Sequence, residues 1–389
     1  MREAFAFHVG YDDHLHQDPL INFQLNRWIS YLGGSVLDEL SAVAPRLTDI
    51  PSLRGEFLAL AENAQEQGRN LQAAYYFRSA EFFMRQADPL KESTRRKFIK
   101  LLWEFYQIDE SSYHEIPYKD GNVRGLLPAY LFPHNQHKDT IIIHGGFDSY
   151  IEEFLPIILY IRDCGYNVIC FEGPGQGGAL HGSGLFLTHE WHKPVGTILD
   201  YFKLDEATLI GISMGGCLGL RAAAYEPRIK RVIAYDVFFD WMDTTLEKLK
   251  PVAPLLKLLL NSRAGSVFDL FLAGIMKKSP LFDWSMHQAM LVLGVSTPYQ
   301  VFQKSRQYTT RDISSLVTQD VLLMAGSEDH VIPLSHFYKQ IALLQNVRSQ
   351  TSRLFTREEQ AQNHCQIGNL RLAVDHITNW IDFTLKIAN

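Results

Sequence analysis

Apolar residues recur at helical spacing through the first quarter of the chain. Phe57, Leu58, Leu60 and Ala61 form one stripe and Ala74, Tyr75, Phe77, Ala80, Phe82 and Phe83 another, so residues 22–108 read as helices. The texture changes at Tyr113. Short, continuously apolar runs at 140–143, 167–171, 208–212, 231–235 and 321–324 then alternate with helical segments, among them 152–164, which Gly165 stops. Strands apolar on both faces, separated by helices, predict βαβ units and a mostly parallel sheet. Between 241 and 317 the alternation lapses into helix-like pieces at 246–260 and 267–276 with many aromatics, Phe268, Phe271, Phe282, Trp284, Tyr299, Phe302 and Tyr308. That interval reads as an insertion over one end of the sheet, and its aromatics predict a largely apolar pocket. The pattern divides the chain into a helical N-terminal domain (1–112), an α/β core (113–240 and 318–389) and a helical cap (241–317).

Composition narrows the class of protein. The chain has 389 residues, 46% hydrophobic and 21% charged, which suits a folded globular protein. A net charge of −6, with Arg95-Arg96-Lys97 as the densest basic run, argues against nucleic-acid or anionic-membrane partners. Cys164, Cys170, Cys217 and Cys365 lack paired spacing, so neither a disulfide framework nor a zinc site is expected. The start MREAFAFHVGYDDH lacks the basic and apolar regions of a secretion signal, and the apolar run 252–260 is too short to span a bilayer. A cytoplasmic chain without cofactor or metal is the expectation.

Chemistry enters at residues 207–220, ATLIGISMGGCLGL. Glycines weaken a strand unless the backbone needs them. A strand ending at Ile212, then Ser213, Gly215-Gly216 and an apolar helix, is the strand-turn-helix in which a G-x-S-x-G sharp turn exposes a nucleophilic serine. Such a serine needs a base and a carboxylate that orients the base, both later in the chain. Asp329, in the loop after the run at 321–324, is the first choice for the acid, with Glu328 beside it and Asp236 at the end of the preceding strand as rivals. The base candidate is His364, in a loop between a short last strand near Leu354-Phe355 and a final helix over 370–386. His330 and His376 fit the role less well.

An oxyanion also needs two donors. The loop His144-Gly145-Gly146-Phe147-Asp148 follows the first buried strand and can present the N–H of Gly146 or Phe147, while Met214 supplies the other. The glycine-rich stretch Glu172-Gly173-Pro174-Gly175-Gln176-Gly177 lacks the features of a phosphate loop and reads as a tight loop beside the pocket.

With these residues in view, the chain resembles the α/β-hydrolase superfamily over about 113–389. Together with the helical N-terminal region, the motifs HGGFD, FEGPGQG, GISMGG, GSEDHVIP and NHCQIGN resemble the group that includes 2,6-dihydroxypseudooxynicotine hydrolase and hydrolases that shorten polyketide chains. The resemblance implies an α/β-hydrolase fold and cleavage of a carbon–carbon bond next to a ketone, with Ser213, Asp329 and His364 as triad. It also favours a homodimer, and the aromatic-rich cap makes a bulky aromatic or polyketide-like small molecule the expected substrate. The same machinery hydrolyses esters or amides, so an esterase or aminoacyl peptidase is the alternative, and a non-catalytic binding scaffold the third reading.

Overall fold

Asp18 opens the helical N-terminal segment. In the computed structural model, which describes residues 7–262 and 264–388, its carboxylate accepts the Leu20 and Ile21 N–H groups and Pro19 starts helix α1 (Pro19–Leu32). Residues 1–6, on which the expectation about a leader partly rests, and Arg263 in the cap lie outside the described residues. From Ile21 onward α1 is buried on every face. Cover comes from α2 (Leu37–Val43), α3 (Ile50–Glu66), α4 (Asn70–Phe83) and α5 (Lys91–Tyr106) together with the core of the sheet.

A hairpin through Gly121, whose φ is 57°, joins β1 (Tyr113–Asp120) to β2 (Val123–Phe132). This antiparallel edge was not read from the pattern, because polar residues interrupt its runs. The parallel strands follow: β3 (Thr140–His144), β4 (Asn167–Phe171), β5 (Ala207–Ile212), β6 (Ile229–Tyr235), β7 (Asp320–Gly326) and β8 (Ser349–Phe355). Their order is β1-β2-β4-β3-β5-β6-β7-β8. Every position of β3, β5 and β7 is buried, as a strand covered on both faces requires.

Helices fill both faces. On one side α6 (Leu155–Asp163) shares an apolar cluster with α1, α3 and α4. On the other, beyond the short α7 (Gly177–His181), α8 (His192–Tyr201) and α9 (Gly215–Ala223) join a cluster with the insertion. The insertion contains α10 (Trp241–Lys248), α11 (Ala253–Asn261), α12 (Gly265–Met276), α13 (Pro280–Leu293) and α14 (Pro298–Ser305). The single helix expected over 246–260 is two, because Pro251 cannot continue a helix and Pro254 is placed to start the next. Likewise the helix expected from 152 begins as a tighter turn over Ile151–Phe154, and Pro156 sits at the start of α6. Beyond β7, α15 (Ser335–Leu343) and α16 (Leu370–Ala388) complete the chain. Among the described residues no helix is long and apolar enough to cross a membrane.

Register decides where chemistry can occur. His144 pairs with Gly211, Ile212 with Tyr235 and Gly326 with Phe355, so the loops leaving β3, β5, β6 and β7 emerge at one edge of the sheet.

Candidate active site

Ser213 sits in that edge with φ 61°, a left-handed conformation rare outside glycine. Its N–H donates to Tyr235 O at 2.5 Å, and α9 begins two residues later. The surrounding glycines are required by contact. A Cβ at Gly211 would lie 2.0 Å from Gly215 O, and one at Gly216 would lie 1.9 Å from Asp236 O. Strand, turn and helix touch backbone to backbone, and the turn holds the serine hydroxyl outward.

From that hydroxyl a hydrogen-bonded line runs inward. His364 Nε2 lies 2.8 Å from Ser213 Oγ, and His364 Nδ1 lies 2.7 Å from Asp329 Oδ2. Asp329 is itself anchored, since its Oδ1 accepts the N–H groups of Val331 at 2.7 Å and Ile332 at 2.9 Å. A hydroxyl bonded to an imidazole that faces a carboxylate can lose its proton while attacking a carbonyl. Glu328, one of the sequence alternatives, faces away and pairs with Arg357 at the surface. Asp236, the other, stays at the site: its Oδ2 is 3.3 Å from His364 Nδ1 and accepts the Cys365 N–H at 2.6 Å, while Oδ1 accepts Gln366 Nε2 at 2.7 Å.

The two carboxylates are not equivalent. Burial works against the charge on Asp329, but the facing imidazole outweighs it and holds the carboxyl below its ordinary range. Burial pushes Asp236 up, and Asp329 adds to that rise. For His364 burial disfavours the cation, yet the Asp329 charge and the hydrogen bonds to both carboxylates keep its pKa well above that of a free imidazole. Asp236, His364 and Cys365 bring ligand atoms within 4.8 Å of one another. The Asp236 oxygens already accept the Cys365 and Gln366 N–H groups, His364 Nδ1 carries the proton it donates to Asp329, and burial raises the Cys365 thiol, which keeps it protonated and a poor metal ligand.

The loop after β3 rests directly on the turn. A Cβ at Gly146 would lie 2.8 Å from Met214 N, and one at Gly215 would lie 2.7 Å from Gly145 O. Among the described residues no backbone carbonyl takes the N–H of Gly146, Phe147 or Met214. His144 fixes the loop from below: its Nε2 accepts the indole N–H of Trp191 at 3.2 Å, so its Nδ1 donates to Gly145 O at 2.9 Å. Burial lowers the His144 pKa to about 4 and keeps the ring neutral. From above, Gln176 Nε2 donates to Gly145 O at 2.7 Å and Gly146 O at 2.9 Å. This gives the glycine-rich loop 172–177 its purpose. Gly177 clears the buried Glu172 carboxylate, 1.8 Å from where its Cβ would be, and the loop braces the Gly145-Gly146 turn.

A cavity of about 290 Å³ extends from Ser213 and His364. The insertion lines it with Phe282, Trp284, Met286 and Phe302, as the aromatic pattern anticipated. Sequence reasoning named none of the residues of the opposite wall, where α1 contributes Phe23, Gln24, Arg27 and Tyr31. The Phe23 ring lies 6.0 Å from the His364 ring and 4.6 Å from that of His330, which belongs to this packing and makes no bond to Ser213. The only sequence sign was the four-residue spacing of Phe23 and Arg27, one helical turn apart. His376 lies on α16, its ring 6.0 Å from that of Phe355.

Sheet order, sharp turn and hydrogen-bonded line define the class, and the profile of the alpha/beta hydrolase fold matches residues 140–355. The chain belongs to the α/β-hydrolase family and is a hydrolase. Among known proteins it is 27% identical over 372 residues to Hydrolase LUC6 of a Fusarium species, covering 85% of each chain. To Hydrolase acrC of Aspergillus aculeatus it is 27% identical over 325 residues, 72% of this chain and 75% of the relative. Of solved structures, AbyA5 superposes with a TM-score of 0.65 at 17% identity, covering 94% of this chain and 99% of the other. For 2,6-dihydroxy-pseudo-oxynicotine hydrolase the TM-score is 0.56 at 21% identity, with 85% of each chain covered.

Proposed function

We propose that this hydrolase acts through Ser213 as nucleophile, His364 as general base and acid and Asp329 as the carboxylate that orients and charges the imidazole. The 2.8 Å and 2.7 Å hydrogen bonds through His364, opening on a largely apolar cavity, carry this reading. Asp236 positions the base through the Cys365 N–H. The N–H groups of Phe147 and Met214 receive the oxyanion, with Gly146 supplying the close approach that aligns them.

The substrate is an aromatic or polyketide-like β-diketone, cleaved next to a ketone. The aromatic lining supports it, as do the motifs that resemble carbon–carbon hydrolases. Ser213 Oγ attacks one carbonyl while His364 takes its proton; the carbon–carbon bond breaks, His364 protonates the departing carbon, and water releases the acyl group as an acid. The helical N-terminal segment from Pro19 and the helices of the insertion shape the pocket around the α/β core.

Incubation of the wild type and Ser213→Ala with 1-phenylbutane-1,3-dione and phenyl acetate, with acid release followed by mass spectrometry, tests this. Cleavage of the dione by the wild type alone is the expected result. Turnover of the ester only would make the protein an esterase, and equal inertness of both proteins would remove the triad assignment.

A further inference from the structure

Carbon–carbon cleavage makes a demand that the triad does not meet. As the bond beside the attacked carbonyl breaks, its electron pair moves onto the neighbouring ketone, and that second oxygen needs a donor of its own. The donors at Phe147 and Met214 are aimed at the first oxygen. An ester lacks the demand, because its leaving oxygen takes the His364 proton directly.

The cavity wall opposite the sharp turn holds such a donor. Phe23 of α1 lies over the His364 ring, and Arg27 follows one helical turn later on the same lining face, a rise of about 6 Å. The Arg27 side chain is only 10% exposed. Its NH2 donates to Glu153, its guanidinium lies over the Trp28 ring at 4.8 Å, and its NH1, on the cavity lining, makes only a long 3.4 Å bond to Gln24 Oε1. A donor held by so long a bond has capacity left for a ligand oxygen.

Charge points the same way. Arg27, Arg78 and Lys91 share two carboxylates, Glu81 and Glu153, so the buried cluster carries an excess of positive charge. Asp148 lines the same cavity and feels the charges of Arg27 and Arg78, but burial outweighs both and pushes its pKa up. Lys248, the other cation on the cavity lining, has Asp329 as its charged neighbour, and burial lowers its pKa.

Resting on the carbon–carbon reading above, we infer that Arg27 binds the ketone oxygen on the leaving side of a β-diketone and holds it as the enolate forms. The Ser213 Oγ–acyl bond forms, the carbon–carbon bond breaks with its electron pair delocalised onto the oxygen at Arg27, and the proton that His364 took from Ser213 passes to the α carbon. Water then cleaves the acyl ester, so atoms and charge balance without a co-reactant. Arg27 thereby separates diketones from esters in a site whose nucleophile serves both.

The experiment compares turnover of 1-phenylbutane-1,3-dione and phenyl acetate by wild type, Arg27→Met and Arg27→Lys. Arg27→Met is expected to lower dione turnover roughly a hundredfold and ester turnover by less than about tenfold, with Arg27→Lys between. Parallel losses on both substrates would overturn the assignment. Because Arg27 also holds Glu153, a second readout avoids dependence on a fully active variant. The dione bound to Ser213→Ala is expected to show enolate absorbance that weakens when Arg27→Lys is added, and an unchanged band overturns the assignment. A wild type inert to the dione but active on the ester removes the carbon–carbon reading and Arg27's role with it; an active wild type with parallel losses removes the role alone.

Discussion

At the edge of the sheet that carries Ser213, backbone touches backbone, whereas across the cavity, on α1 and the insertion, side chains meet side chains. A Cβ on Gly211, Gly216 or Gly146 would fall within 2.8 Å of another backbone atom, so neither the turn nor the loop after β3 has room to shift. Opposite, Phe82 of α4 meets Trp284 of the insertion with ring centroids 4.8 Å apart and planes tilted by 31°, and Phe268 meets Phe302 edge-on at 5.0 Å. Such contacts can repack, because flexible side chains bear them. Rigid backbone suits charge stabilisation, which fails when a donor is displaced, while a repackable aromatic wall suits selection among substrates.

The comparison can be broken most decisively at the rigid edge. Ser213→Ala should lower turnover of aryl acetates by on the order of 10⁴-fold or more, read in steady-state assays against the wild type. Asp329→Asn should cost a comparable factor, whereas Asp236→Asn should cost roughly tenfold to a hundredfold, since its contact with the imidazole is longer and its main partner is the Cys365 N–H. Equal losses in the two variants would mean that both carboxylates serve the imidazole alike.

The pH dependence sharpens the same point. Only neutral His364 accepts the serine proton. Burial lowers its pKa, but the nearby carboxylates more than reverse that, so the imidazole stays protonated to higher pH than a free one. Activity should therefore rise with pH along a limb lying above about 6.5. Asp329→Asn should move that limb down, as measured by kcat/KM profiles.

Gly146→Ala comes next in size. Its methyl would meet Met214 N, push the loop away and lower kcat by roughly a hundredfold to a thousandfold while leaving KM for small esters close to the wild-type value. At the soft wall Trp284→Ala should act the other way, raising KM for aryl substrates about tenfold with a smaller change in kcat. Glu328→Gln should change neither parameter by more than about twofold, because that side chain only pairs with Arg357 in solvent.

Continuous apolar runs made β3, β4, β5, β6 and β7 legible to within a few residues, since a strand buried on both faces has nowhere to place polar groups. The hairpin of β1 and β2, exposed along part of its length, carried a weaker signal and passed unread. In the insertion, Pro251 broke a helix that the apolar pattern alone would have continued.

Local requirements were therefore written in the chain itself. The turn around Ser213 needs glycine wherever backbones collide, and a histidine loop ahead of a last helix has few other uses in such a sheet. Tertiary structure alone decided the rest. Asp236 stands beside His364 because β6 ends next to the loop before α16, and Arg27 faces the cavity because α1, nearly two hundred residues from Ser213, folds back over the sheet edge. Periodicity reports which face of an element is buried. Which partner that face meets depends on long-range packing, and no local pattern records it.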